Sequence, residues 1–161
     1  MTIAYLALGS NLGERAANLS RACELLLESG VLLRAKSAVY ETQSVEGGGE
    51  SNFLNAALRL ETDLSARELL EICQNIETQI GREPPPRTGV HRKGARSIDI
   101  DILLFGDEKI DELDLQIPHP RMLFRAFVLR PLCDVLEGGW IRCFSKNWDE
   151  RDKQDEKSTP E

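Results

Sequence analysis

Long hydrophobic runs are missing from this chain: no apolar stretch approaches the roughly twenty residues that a helix needs to cross a bilayer. Near the N-terminus no basic segment leads into an apolar one, as it would in a secretory signal, so the expected location is cytoplasmic, with no membrane partner. Positive charge is also short. Lys and Arg number 20 against 27 Asp and Glu, a formal net charge of −7, and that balance does not supply the basic face a nucleic-acid backbone demands. The four cysteines, Cys23, Cys73, Cys133 and Cys143, form no C-x-x-C pair. Their spacing suggests neither a zinc site nor a disulfide scaffold and leaves buried thiols as the expectation. Neither a G-x-G-x-x-G nor a Walker sequence occurs, so the usual phosphate-cradling loops are excluded.

What remains is enough for one domain. With 161 residues, 41% of them hydrophobic, the chain can bury a sizeable core, and it is expected to act as a monomer. Residues 1–144 read as the domain, and the mixed-charge stretch 145–161, with little to bury, reads as a disordered tail.

Thr2–Leu8 is an apolar run ending at Gly9-Ser10-Asn11, which reads as a strand followed by a tight strand-to-helix turn. Leu12, Ala16, Leu19, Cys23 and Leu26 recur at helical spacing, with Glu14, Arg15, Asn18 and Arg21 turned to water and Gly30 as a left-handed stop. Leu32–Val39 reads as a second strand, and Tyr40–Ser51, with its three successive glycines, as a mobile loop. Phe53–Thr62 returns to strand. A strong helix start follows: Ser65 as N-cap, Glu68 closing a capping box, Leu64 stapled to Leu69. That helix carries Leu69, Ile72, Cys73, Ile76 and Ile80 inward and stops at Gly81, with Gln74 and Glu77 together on one flank.

Glu83–Lys93 contains Pro84-Pro85-Pro86 and Gly89, so it is a loop, long enough to suggest a binding lid. Around it Arg82, Arg87, His91, Arg92, Lys93 and Arg96 gather inside fifteen residues, a local cation cluster suited to a small anionic ligand. Leu115-Gln116-Ile117 reads as a short extended segment. His119, held between Pro118 and Pro120, has a stiff backbone that aims its ring. Phe127–Leu136 reads as a last helix. Strands alternating with helices predict an α+β fold with an antiparallel sheet.

The chemistry centres on Arg96-Ser97-Ile98-Asp99-Ile100-Asp101-Ile102. In a strand Asp99 and Asp101 share one face while Ile98, Ile100 and Ile102 pack on the other. Two carboxylates side by side repel, and a divalent cation relieves them; Mg²⁺ is commonly held by one or two carboxylates together with substrate phosphates. An ordinary half-solvated strand would show the same alternation. Asn55, the one amide in an apolar strand, reads by itself first as a bonded core amide and only second as a ligand contact.

Taken together, Ala7-Leu8-Gly9-Ser10-Asn11-Leu12-Gly13, Asn52-Phe53-Leu54-Asn55-Ala56-Ala57, Glu77 with Gly81-Arg82, the Arg96–Ile102 stretch and Pro118-His119-Pro120-Arg121-Met122 closely resemble the 6-hydroxymethyl-7,8-dihydropterin pyrophosphokinases of folate biosynthesis. The resemblance runs in the same order from residue 2 to about residue 136. It implies a ferredoxin-like α+β domain that moves the β,γ-diphosphoryl group of ATP to the hydroxymethyl group of the reduced pterin. It further implies that Asp99 and Asp101 hold two Mg²⁺ ions and that Arg82 and Arg96 meet the phosphates in catalysis. Gln74, Glu77, Arg87, Arg92, Ile102, His119 and Arg125 would complete the ATP site, and Thr42, Val45, Phe53, Asn55 and Phe127 the pterin site. Phe53 stands where the family often has Tyr, and Pro120 where some members carry an aromatic. Two other readings stay open: a Mg²⁺-dependent phosphoryl or nucleotidyl transferase acting on another heterocycle, and a silent ligand-binding domain.

Overall fold

The structure, a computed structural model, describes residues 1–42, 52–81 and 97–136. Val45, Arg82, Arg87, Arg92, Arg96, the glycine-rich stretch, the Glu83–Lys93 loop and the charged tail lie outside the described residues.

Strand β1 (Thr2–Ser10) is the centre of an antiparallel sheet, flanked by β4 (Phe53–Thr62) and β5 (Asp99–Phe105). β1 is two residues longer than the sequence suggests: Gly9 and Ser10 stay in the ladder, and the turn falls on the residues after them, where Gly13 takes φ +71°. β2 (Leu32–Lys36) and β3 (Tyr40–Thr42) lie one after the other along the outer edge of β4. β3 corrects the expectation of a loop from Tyr40. Ser37 makes this continuation possible, giving its N–H to the Ala57 carbonyl and accepting the Ala57 N–H on its own Oγ. The edge therefore kinks without losing its hydrogen bonds. β6 (Ile110–Asp111) and β7 (Gln116–Ile117) form a separate hairpin.

Residue parity separates two cores. Ala4, Leu6, Leu8, Leu58, Leu60, Ile100 and Ile102 pack under the helices α1 (Arg15–Glu28) and α2 (Ala66–Ile80). On the opposite face Ala57 and Leu103 pack under α3 (Ala126–Val135), together with Ala7 and Tyr5. Leu103 faces α3 by ordinary alternation after Ile102; the register of β5 against β1 then shifts between Tyr5 and Leu6, which keeps Leu104 on the α3 side as well and returns Phe105 to the core under α1 and α2. Asp134 on α3 accepts from the Ala38 N–H and the Tyr40 hydroxyl, tying the kinked edge down. The same bond is the main reason that the Tyr40 phenol is held above its ordinary pKa.

α2 starts as its sequence predicts, with Ser65 and Glu68 in a reciprocal capping box. The backbone N–H of Ser65 keeps the Glu68 carboxyl below its usual range. That contribution to stability is therefore present above the unfolded-state pKa and fades as the pH falls through the folded one. α1 differs from expectation. It begins at Arg15, its inward residues are Leu19, Ala22, Leu25 and Leu26, and Leu12 and Ala16 are exposed. Two side chains of its first turn reach the sheet end rather than water: Arg15 donates to the Asn52 carbonyl, and Asn18 to the Ser97 carbonyl just ahead of β5.

Cys73 is fully buried on α2, and burial, aided by the carboxylates of Glu77 and Asp101, pushes its thiol up to about 12. An alkylating reagent at pH 8 is therefore expected to leave Cys73 unmodified in the folded protein and to label it only after denaturation; peptide mass mapping checks this, and rapid native labelling would contradict the packing. Among the described residues no helix is long and apolar enough to cross a membrane.

Candidate active site

One row of side chains crosses the sheet on the α3 face. The register pairs Asn55 with Gly9 and Gly9 with Asp99, so Asn55 and Asp99 stand two strand spacings apart, roughly 10 Å, with a glycine between them. The next row runs from Ala57 through Ala7 to Asp101. Small residues thus make a floor, and an amide and two carboxylates stand at its sides.

At one side, Asn55 is buried and its Nδ2 donates to Thr42 Oγ1 at 2.8 Å. Phe53 follows the same face one alternation outward, and a Cβ built on Gly9 would lie 3.3 Å from Asn55 Oδ1 and 4.0 Å from Phe53 Cδ1. Gly9 is therefore needed for closeness rather than for backbone freedom. Phe127 projects from the first turn of α3, partly exposed, with the Arg125 guanidinium 5.5 Å from its ring centroid, a cation over a π face.

At the other side a cavity of about 430 Å³ is lined by Asp99, Asp101, Ile102, His119, Arg121 and Arg125, among others. Among the described residues β5 is the outermost strand on its side of the sheet. Its outward backbone groups alternate, so Ile100 and Ile102 present theirs on the same side; Glu77 Oε1 accepts the Ile100 N–H at 2.7 Å. His119 donates its backbone N–H to the Leu103 carbonyl and accepts the Arg121 N–H on Nδ1 at 3.2 Å. With Nδ1 an acceptor, the imidazole proton sits on Nε2. Gln74 is exposed on α2, one turn before Glu77, and does not line this cavity.

The structure thus brings Asp99, Asp101, Ile102, His119 and Arg125 to one cavity, and Thr42, Phe53 and Asn55 to the adjoining floor. Sequence reasoning gave no role to Arg121, which reaches the cavity directly after the Pro-His-Pro segment. It also turned Asn18 outward, because helical periodicity marks apolar residues and is silent on an amide that bonds across a turn.

The donor set fits a hard divalent cation that keeps open positions. Two carboxylates on alternate residues of an edge strand give oxygen ligands and leave the remaining sites to water and phosphate. Among the described residues no group of three His, Cys, Asp or Glu gathers to make a closed all-protein site.

Residues 5–137 match the family model of 7,8-dihydro-6-hydroxymethylpterin-pyrophosphokinase. The 2-amino-4-hydroxy-6-hydroxymethyldihydropteridine pyrophosphokinase of Bacillus subtilis is 43% identical over 136 residues, 84% of this chain and 78% of that protein. The protein of the same name from Porphyromonas gingivalis is 42% identical over 136 residues, 84% of this chain and 91% of its own length. A folate synthesis bifunctional protein of Arabidopsis thaliana is 43% identical over 131 residues, 81% of this chain but 26% of that larger protein. Among solved structures, the Plasmodium falciparum HPPK-DHPS superposes with a TM-score of 0.67 at 18% identity, over 96% of this chain and 45% of that one, which shows the α+β, ferredoxin-like fold. With the matched model spanning both the amide side and the carboxylate side of the floor, the chain belongs to the 7,8-dihydro-6-hydroxymethylpterin-pyrophosphokinase family.

Proposed function

We infer that this chain transfers the β,γ-diphosphoryl group of ATP to the hydroxymethyl group of 6-hydroxymethyl-7,8-dihydropterin, giving AMP and the pterin diphosphate in folate biosynthesis. The observation that carries the reading is the cross-strand row Asn55–Gly9–Asp99. It sets an amide that suits a pterin edge about one substrate length from carboxylates that suit a triphosphate's metal.

In this reading the pterin lies over Gly9, its ring against Phe53 and Phe127 and its polar edge toward Asn55 and Thr42. The hydroxymethyl oxygen then points along the row at the β-phosphorus. Its new P–O bond forms as the bond from that phosphorus to the α,β-bridging oxygen breaks; AMP leaves with the bridging oxygen, and the hydroxyl proton goes to solvent. Such a transfer needs alignment and charge neutralisation more than covalent help. Asp99 and Asp101 would hold Mg²⁺, two ions in this reading, and bound Mg²⁺ supplies neutralisation of the phosphate oxygens. His119 offers Nε2–H to a phosphate oxygen, Arg125 and Arg121 add charge, and the outward backbone of Ile102 offers an edge to the adenine. Glu77 steadies that edge through the Ile100 N–H. Arg82, Arg87, Arg92 and Arg96 are assigned to the phosphates, Gln74 to the ATP flank and Val45 to the pterin wall on the family resemblance. The enzyme is placed in the cytoplasm as a monomer, where ATP and Mg²⁺ are both at hand.

Product analysis tests this. With ATP, Mg²⁺ and the hydroxymethyl pterin, AMP and the pterin diphosphate are expected in equal amounts. ADP would replace this reading by transfer of a single phosphoryl group, and no nucleotide product would remove both.

A further inference from the structure

The ladder between β1 and β5 ends at Gly9 and Asp99. By the same register the next backbone partner of Ser97 would be Asn11, but there the chain has already left the strand for α1. A carbonyl at that point has two lone pairs to satisfy and no strand opposite. Two side chains take the strand's place: Ser10 Oγ donates to the Ser97 carbonyl at 2.6 Å, and Asn18 Nδ2 donates to it at 3.0 Å. Ser10 is completely buried. The Asn18 amide also donates to the Leu12 carbonyl at 3.0 Å, so a single side chain fixes both the turn out of β1 and the entry into β5.

We propose that Asn18 and Ser10 are positioning residues that hold the metal-binding strand in place by clasping the Ser97 carbonyl, two residues before Asp99. The proposal rests on the reading of Asp99 and Asp101 as Mg²⁺ ligands. Its logic is that of an outer layer around a metal: groups that never touch the ion set the angle at which its ligands meet it, and losing one costs about ten- to a hundredfold in affinity. β5 has a strand neighbour, β1, on one side only among the described residues. Asp99 is the first residue of the strand, where ladders fray most readily, and it is also the one whose carboxylate must be aimed.

Asn18→Ala and Asn18→Asp separate this from a general contribution to stability. Asp has the same size, and in the first turns of α1 its charge suits the helix dipole, so a packing role predicts that Asp is the milder change. The clasp predicts the reverse, because Asp sets an oxygen against the Ser97 carbonyl. Two measurements read it without turnover. Hydrogen exchange of the ligand-free protein is expected to speed about tenfold at the amides of Ile98 and Asp99, more in Asn18→Asp than in Asn18→Ala. Calorimetry with Mg²⁺ and α,β-methylene-ATP is expected to show affinity about tenfold weaker in the same order, with pterin affinity unchanged. Asn18→His, whose Nδ1–H falls near the same point, is expected to recover most of both. Unchanged exchange at the two amides overturns the clasp, and faster exchange with unaltered nucleotide affinity overturns its role in positioning. Failure of the Mg²⁺ reading itself would show elsewhere, as retained nucleotide affinity in an Asp101 variant.

Discussion

Asp101→Asn is expected to lower diphosphoryl transfer by roughly a thousandfold or more, the equivalent of about 4 kcal/mol of transition-state stabilisation, while the melting temperature holds or rises. The two halves have one cause. Asp99 and Asp101 stand on alternate residues of an edge strand, on the face over the small residues Gly9 and Ala7. Two like charges on alternate residues of one face repel each other, and Asn keeps the shape while removing one of them. In the proposed reading the same charge would hold the cation that neutralises the β- and γ-phosphates, and a neutral amide in its place would surrender that hold just where negative charge is crowded. Initial rates at saturating Mg²⁺ and ATP, alongside a thermal melt, give both numbers. Turnover near that of the unsubstituted protein would take Asp101 out of the metal site. A melt lowered by many degrees would make it a structural residue instead.

The elements whose ends are written in side chains were legible in the sequence. Ser65 and Glu68 announce α2, and the capping box is found as expected. The alternation of Asp99, Asp101 and the isoleucines announces β5 and its two faces. Legibility failed where the deciding partner is distant in sequence. Tyr40–Thr42 has two strand-favouring residues but is too short a run to announce a strand, and it pairs because Ser37 and Asp134 hold that edge against β4 and α3. Asn18 looks like a solvated helix residue until Ser97 is placed beside it, 79 positions on. For the site, family resemblance names candidate residues one by one but not their arrangement. Nothing in the order of residues 9, 55 and 99 reveals that they share a row, because register is fixed by the pairing of three strands.

That row yields the second large effect. Gly9→Val is expected to weaken pterin binding by roughly ten- to a hundredfold, or about 1–3 kcal/mol, with nucleotide affinity unaltered. The backbone at Gly9 has no positive φ, and Val suits a strand, so the sheet itself accepts the change. The space does not. A single Cβ already comes within 3.3 Å of Asn55 Oδ1, and the two methyls of Val would fill the floor between Asn55 and Asp99 on which the pterin is proposed to lie. Asn55→Ala provides the matching test from the side of the floor. It removes the group that holds Thr42 at 2.8 Å and the polar match to the pterin, a loss of about 1–3 kcal/mol. Because both substitutions act on the same contact, the double variant should lose less than the sum of the two. Calorimetric titration with the pterin and, separately, with Mg²⁺ and α,β-methylene-ATP reads all three proteins. Equal loss for both ligands would mean that the sheet has shifted as a whole, and undiminished pterin binding by Gly9→Val would move the pterin off this row.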